Sequence, residues 1–340
     1  MRGMGVRPVA CFVDDVYYVS GGECEGLPII EKSRFMQDKT DKNIVIGFNS
    51  ASLTHQQWSE LQARAGRGRV MGIIENNPLI SDNAISSMFV KEHMADFEEI
   101  FNLLCDDESR QVLLAYLRAK ANCFNAPDTP RLDELWKEDA YINSLTKNSA
   151  LGLDQGIIID CGAYDGDTAE SFAKLYPSCP LIYALEPDNR NYEKLKDKCL
   201  SIPMLKPIKK GAWSETTVLQ FNEVGTQSST FSKGGSSMYA KVVEVPVIDI
   251  DSLIESNGRV SFIKMDIEGS EAEAIRGAKH VIARDMPVLA VCVYHRCRDL
   301  IDLPKLIILA AGHKQYDFYL RAHSFNVTDI VLYAIPHRMY

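Results

Sequence analysis

The sequence predicts an α/β protein organised around buried parallel strands, and three stretches carry that reading. The first is GIIIDCGAYDGDT, Gly156 to Thr168, an apolar run that breaks into an acidic, glycine-punctuated turn and then a helical pattern. Ile157, Ile158 and Ile159 are β-branched and uniformly apolar, which suits a strand covered on both faces. The second is Leu181 to Leu185, a short apolar run ending in Glu186-Pro187-Asp188. The third is Val260 to Met265, which ends in Asp266-Ile267-Glu268-Gly269 and opens a further helix. Strands that alternate with helical stretches in this way build a sheet with helices on its faces.

A strand, a glycine turn and a helix start form a ligand cradle at the carboxyl end of a sheet. Asp167, Thr168, Ala169 and Glu170 read as a capping-box variant, with Asp167 as acceptor and Glu170 reaching back, and the helix continues through Phe172 and Leu175. The charge of the turn selects the ligand. A diphosphate needs exposed backbone N–H groups and no nearby anions, whereas this turn carries Asp160, Asp165 and Asp167. These carboxylates favour a cation, and S-adenosylmethionine is one, with an ammonium, a sulfonium and ribose hydroxyls that seek acceptors. Glu186, at the next strand end, is placed to accept from both ribose hydroxyls.

DCGAYDGDT, ALEPD, IKMDIEGSE and VCVYH together resemble the FkbM-type S-adenosylmethionine-dependent methyltransferases, over about Tyr141 to Pro336. The resemblance implies a class I methyltransferase, Rossmann-like seven-stranded sheet and methyl transfer, usually to an oxygen of a sugar or natural product. It implies cofactor contacts from Asp160, Gly162, Ala163, Asp165, Gly166, Thr168 and Glu186. The exit of the third strand, PIKKGAW at Pro207 to Trp213, lies near the adenine in that fold, which makes Ala212 and Trp213 cofactor candidates, with a core role for Trp213 as the alternative.

Composition sets the outer bounds. At 340 residues the chain is long enough for two domains. Its 46% hydrophobic and 24% charged residues are those of a water-soluble chain. Lys plus Arg number 37 against 46 Asp plus Glu, a formal charge of −9, which argues against nucleic acid or an anionic membrane as a partner. No secretory leader pattern or membrane-length apolar run is legible, so a cytoplasmic protein is expected. The nine cysteines include no C-x-x-C pair, and Cys11, Cys161 and Cys292 sit in or beside apolar strand patterns, so they read as buried thiols.

Three segments follow from the patterning: a small α/β domain at 1–80, a helical connector at 81–140 and the methyltransferase domain at 141–340. The first holds strand patterns at Arg7 to Val13, ending in Asp14-Asp15, at Gly26 to Ile30 beyond Gly21 and Gly22, at Lys42 to Phe48 and at Arg69 to Ile74, with a helix from Thr54 to Ala65. It resembles the back portion of nucleotide-binding-like domains found beside some glycan-modifying enzymes. The opening strand and glycine turn of such domains are missing, which favours a structural or docking role over dinucleotide binding. Helical spacing marks Asn83 to Asn122, and Pro127, Thr129 and Pro130 mark a linker. In the last segment a helix is predicted over Asn189 to Leu200, and accessory strands over Thr216 to Phe221 and Ala240 to Val247 flank a Ser/Gly-rich loop at Gly225 to Ser237.

Ser270 and Glu273 read as a capping box for one helix through Ile275, Ala278, Val281 and Ile282. Val288 to Val293 is the next strand and ends in Tyr294-His295. Neighbouring parallel strands bring Asp266, Glu268 and His295 to one edge, where a carboxylate and an imidazole orient and deprotonate an alcohol or, alternatively, only brace the loop. The divalent-ion ligand set is incomplete in sequence, and no metal is expected. After a helix at Leu300 to Ala311, strands at Gln315 to Leu320 and Asp329 to Ile335 enclose a turn with Arg321 and His323, which by resemblance face the same rim and contact substrate.

The expected activity is therefore S-adenosylmethionine-dependent O-methylation of a sugar, glycan or natural-product hydroxyl. Two readings from other classes stand beside it: a noncatalytic protein that retains the fold in a glycan-assembly complex, and an NAD-dependent sugar oxidoreductase. The acidic strand ends oppose the first and the aspartate-rich turn the second. A cofactor-binding titration separates all three.

Overall fold

The computed structural model describes residues 85–122, 131–223, 241–254, 258–312, 315–325 and 327–337, with shorter stretches at 11–13, 20, 22–24, 27–31, 33–34, 44–46, 55–65 and 70–72. Asp14, Asp15, Gly21, Pro127, Thr129, Pro130 and the loop at 225–237 lie outside them. Two compact units are formed, Met1–Ile80 with Cys123–Ala126, and Ser81–Asn122 with Pro127–Tyr340.

In the first unit, strands β1 (Cys11–Val13), β2 (Glu23–Cys24) and β3 (Leu27–Glu31) form one sheet in the order β1-β3-β2. Strands β4 (Ile44–Ile46) and β5 (Val70–Gly72) pair in parallel, and helix α1 (His55–Ala65) connects them. The described parts of the predicted strands and helix fall on these elements, while residues 7–10, 26, 42–43, 47–48, 54, 69 and 73–74 of those ranges lie outside the described residues; β2, antiparallel to β3, was not expected.

The second unit opens with α2 (Ser87–Glu92), α3 (Met94–Leu103), α4 (Asp107–Asn122) and the single turn α5 (Leu132–Leu135). The sequence set this segment apart as a connector, yet its helices cluster with the C-terminal sheet. Phe97, Ile100, Leu104, Val112, Leu113 and Tyr116 are buried and belong to the same apolar core as the sheet residues Ile263, Leu289 and Phe318. The periodicity located the helices, but an apolar stripe does not say which sheet it covers.

The sheet consists of β6 (Ile157–Cys161), β7 (Ile182–Leu185), β8 (Leu205–Ile208), β12 (Val260–Met265), β13 (Val288–Cys292), β14 (Tyr316–Ala322) and β15 (Ile330–Pro336), in the order β14-β15-β13-β12-β6-β7-β8. Strand β15 runs antiparallel to both β13 and β14, and the neighbours from β13 to β8 are parallel. This is the class I methyltransferase sheet. Every residue of β6, β7, β12 and β13 is buried, because helices cover both faces. Helices α6 (Asp167–Leu175) and α7 (Asn189–Cys199) follow β6 and β7. Phe172 of α6 packs on Phe262 of β12 with ring centroids 4.9 Å apart.

Several boundaries differ for identifiable reasons. Pro207 to Trp213 is divided: the third sheet strand is β8, while β9 (Gly211–Ala212) joins a separate small sheet with β10 (Thr217–Glu223) and β11 (Lys241–Ile248). The helix after β12 is two helices, α9 (Glu271–Arg276) and α10 (Lys279–Asp285), preceded in the chain by the short α8 (Ile250–Ile254). At the break, a Cβ on Gly277 would stand 2.0 Å from the Trp213 carbonyl oxygen, so only glycine permits this approach. Helix α11 (Asp299–Ala310) and β14 complete the order, and β14 extends far enough to include Arg321. Among the described residues, no helix is long and apolar enough to cross a membrane.

A fragment starting at Ser81 is expected to keep a cooperative thermal transition close to that of the full chain's second unit, whereas one starting at Tyr141 is expected to lose it. The shorter piece strips from the sheet the buried side chains of α3 and α4, and each such large apolar residue contributes about 2 to 5 kcal/mol. Equal melting of the two fragments in calorimetry would contradict the assignment of these helices to the core.

Candidate functional site

The site lies where β6 is flanked by β7 on one side and β12 on the other, the crevice outside the carboxyl ends of an α/β sheet. Asp160 is fully buried in β6, directly opposite Lys264 of β12 in the strand register. The Lys264 ammonium donates to Asp160 Oδ1 at 2.8 Å and to the Gly162 carbonyl oxygen at 2.7 Å. Although burial opposes its charge, Asp160 and Asp266 hold the Lys264 ammonium well above the usual lysine range. Asp160 Oδ2 is buried and has no hydrogen-bond partner. Sequence reasoning missed Lys264, yet the signal was present: a lysine in the uniformly apolar strand VSFIKM requires an anionic partner.

The turn after β6 is forced by close approach. Gly162 has φ +79°, and a Cβ there would lie 1.9 Å from the Asp266 carbonyl oxygen. Gly166 has φ +86° and caps α6 in place of Asp167; a Cβ would meet Leu195 Cδ1 at 2.8 Å. The expected capping box is absent because Asp167 already belongs to the helix and accepts from the Thr168 N–H at 2.7 Å, while Glu170 pairs with Lys174. The Thr168 hydroxyl also donates to Asp167, at 3.4 Å, and Asp165 pairs with Lys198 at 3.3 Å. Ala163 is buried, and its N–H, like that of Gly162, donates to the Leu185 carbonyl oxygen at 3.0 Å.

Glu186 is almost fully buried at the end of β7. Its Oε2 accepts from the Tyr164 N–H at 2.8 Å and its Oε1 from the Asp188 N–H at 2.9 Å. Burial pushes its carboxyl up to about 7 against these two bonds. Ala212 is buried in β9, paired with Ile248, and the Trp213 N–H donates to the Ile248 carbonyl oxygen at 3.0 Å.

At the end of β12, Asp266 accepts from the Tyr141 hydroxyl at 3.1 Å and the Tyr294 hydroxyl at 3.4 Å. Burial disfavours its charge, but Lys264 and His295 hold the carboxyl below its usual range. Glu268 adopts φ +55°, uncommon for a side-chain-bearing residue, and its side chain is 44% exposed, which places a carboxylate at the rim. His295 Nε2 lies 3.6 Å from Asp266 Oδ1 and 3.7 Å from Glu268 Oε2. Its Nδ1 faces the opposite way, 3.0 Å from Glu271 Oε1. Burial alone would lower the imidazole, but Glu271, Asp266 and Glu268 raise it to about 9. The three predicted residues are thus together. Glu271 and Tyr141 join them without having been singled out. The expected Ser270–Glu273 box does not form, since Ser270 makes no cap bond, Glu273 pairs with Arg276, and Glu271 accepts from the Ile267 N–H at 2.9 Å.

Arg321 and His323 do not join the rim. Arg321 lies within β14 and donates to Asp106 Oδ2 at 2.6 Å, to Ser109 Oγ at 2.7 Å and to its neighbour's carbonyl, so its fork is occupied by the start of α4. His323 accepts from the Tyr333 hydroxyl at Nε2, 2.8 Å, and donates from Nδ1 to the Lys137 carbonyl at 2.9 Å. The Tyr333 oxygen in turn accepts from the Tyr141 N–H at 3.0 Å, fixing Tyr141 at φ +62°. The histidine acts on the site only through this chain of bonds.

The residues present fit S-adenosylmethionine: the orphaned Asp160 Oδ2, the Gly162 turn that no Cβ would permit, and the acidic Glu186 at the next strand end. The Methyltransferase FkbM domain model matches residues 160–326. A crystal structure of methyltransferase FkbM from Methylobacillus flagellatus shares 24% identity over 96% of this chain and 83% of that one, with a TM-score of 0.66, which shows the fold. Fibrillarin from Aeropyrum pernix, solved with natively bound S-adenosyl-L-methionine, shares 14% identity over 53% of this chain and 66% of that one, at a TM-score of 0.35. No curated protein matches the chain.

Arg321→Leu is expected to lower stability by about 1.5 to 3 kcal/mol, since it removes charge-assisted bonds to Asp106 and Ser109. Cofactor affinity, measured by calorimetry on the same folded variant, should stay unchanged. A selective loss of acceptor binding in a fully stable variant would restore Arg321 to the rim.

Proposed function

Residues 160–326 belong to the FkbM methyltransferase domain family, and from that premise we propose that the chain transfers a methyl group from S-adenosylmethionine to a hydroxyl oxygen of a sugar, glycan or natural product. The observation that carries this reading is a buried unpartnered acceptor, Asp160 Oδ2 of β6, with Asp266 and Glu268 following the end of the adjacent strand β12, where they meet His295. S-adenosylmethionine, when bound, supplies a methyl already activated on a sulfonium. What remains for the protein is to align the acceptor oxygen, exclude water and take a proton.

Asp160 Oδ2 and Glu186 hold the cofactor's polar groups, and the Gly162 turn lets the backbone approach it. Ala163 and Gly166 shape that turn. Asp165 and Thr168 support it through Lys198 and Asp167, and Ala212 with Trp213 forms the backbone beyond β8. Asp266 and His295 Nε2 position the acceptor hydroxyl. Glu268, the most exposed of the three, would take the proton from the acceptor hydroxyl. Cys105, Cys161, Cys179, Cys199, Cys292 and Cys297 are free thiols, and Cys161 and Cys292 are buried, which supports a reducing, cytoplasmic setting.

Incubation with methyl-labelled S-adenosylmethionine and a panel of sugars and sugar nucleotides is expected to yield labelled ether product. Absence of both transfer and calorimetric cofactor binding would remove the proposal, while binding without transfer to any hydroxyl would favour the noncatalytic reading. Glu268→Gln should lower the single-turnover rate about a hundredfold with little change in cofactor affinity.

Glu186 gives the pH dependence. Its folded carboxyl, at about 7, lies above its usual 4.5, so the folded state holds a proton the unfolded state has lost and its contribution to stability falls as pH rises between those values. The ribose hydroxyls bind the ionised form better. Cofactor affinity should therefore drop by up to about tenfold per unit as pH falls below about 7, and Glu186→Gln should flatten that profile. An unchanged slope in the variant would show that another group sets it.

A further inference from the structure

Glu271, His295 and Asp299 come from three elements that meet behind the rim: the first residue of α9, the loop after β13 and the first residue of α11. One ligand-type atom from each lies within 4.8 Å of the others. Glu271 is 1% exposed and Asp299 5% exposed, so this is not a solvated acidic surface. Glu271 Oε2 is buried without a hydrogen-bond partner, and neither ring nitrogen of His295 forms a well-directed hydrogen bond. Buried polar groups ordinarily find partners, and a carboxylate oxygen left without one next to further carboxylates marks a place for a cation.

We propose that Glu271, His295 Nδ1 and Asp299 bind one divalent first-row metal ion, of the Mn²⁺ or Zn²⁺ type. The 3.0 Å between His295 Nδ1 and Glu271 Oε1 is the spacing of two adjacent donors on one ion with bonds of about 2.1 Å at about a right angle. One imidazole with two carboxylates suits such ions, whereas Ca²⁺ requires six to eight oxygens, more than this cluster offers. The carboxylates are already oriented by backbone donors, Glu271 by the Ile267 N–H at 2.9 Å and Asp299 by the Arg296 N–H at 2.7 Å, which is the outer support that metal ligands require.

An ion at Nδ1 leaves Nε2 directed at Asp266 and Glu268, so it acts as a positioning device for the rim and balances the buried negative charge. The sequence left the divalent-ion ligand set incomplete because it singled out neither Glu271 nor Asp299, which lie twenty-eight positions apart in the chain. The inference stands on the buried cluster and is independent of the methyl-transfer reading.

The test is titration of the chelator-treated full-length protein with MnCl₂ and with ZnSO₄, followed by calorimetry and, for Mn²⁺, electron paramagnetic resonance, without cofactor or acceptor. One equivalent is expected to bind and raise the melting temperature. Asp299→Asn and Glu271→Gln should each weaken binding at least tenfold, while Glu268→Gln, outside the ligand set, should leave it within about twofold. No saturable binding of either ion to the wild-type chain overturns the proposal, as does binding that Asp299→Asn leaves unchanged. If Glu271→Gln fails to fold, the Asp299→Asn titration decides alone. Metal binding in a protein that transfers no methyl would separate this inference from the proposed activity.

Discussion

The buried pair of Lys264 and Asp160 is the interaction on which the central crevice depends. Two charges in a fully apolar layer are tolerated only when each satisfies the other, and removal of one leaves an uncompensated buried charge at a cost of about 3 to 5 kcal/mol. Here the pair also does geometric work. It joins β6 and β12 at matched positions, and the same ammonium holds the Gly162 carbonyl, so the glycine turn after β6 is tied to the strand whose end carries Asp266. A neutral isostere would restore packing, but it would not hold that turn.

Around this pair, the carboxylates divide by the number of partners they already have. Glu186 accepts from the backbone at both of its oxygens, whereas Asp299 and Glu271 each do so through one oxygen only. Asp266 accepts from two phenols, and Glu268 faces outward. An acidic strand end is therefore not one kind of feature. Lone pairs taken by backbone N–H groups fix the chain, and those left spare on the same carboxylates bind what the chain does not supply.

The sheet was legible because its signals are local. β-branched runs, glycine turns and acidic exits mark β6, β7 and β12 within a residue or so, and the rim trio of Asp266, Glu268 and His295 follows from parallel neighbours ending at one edge. Features that depend on pairing across the fold were not legible. Arg321 sits in a strand whose neighbour, α4, is over two hundred positions away in sequence, and nothing near Arg321 announces Asp106. The capping boxes failed for a local reason instead: Gly166 rather than Asp167 caps α6, Ser270 makes no cap bond, and Glu170 and Glu273 pair along their own helices with Lys174 and Arg276.

The relay from Lys137 through His323 and Tyr333 to the backbone of Tyr141 shows how such distant pairings still reach the site. Each bond has one donor and one acceptor, so the His323 tautomer is set by the Lys137 carbonyl on one side and the Tyr333 hydroxyl on the other. Tyr333 then has its oxygen free to accept from Tyr141, which holds Tyr141 in a left-handed conformation and brings its hydroxyl to Asp266. A residue outside the rim is thereby linked to one of the bonds that hold a rim carboxylate. The strain at Tyr141 is consistent with that role, because a positive φ in a tyrosine persists only where surrounding bonds outweigh its cost of about 1 to 3 kcal/mol.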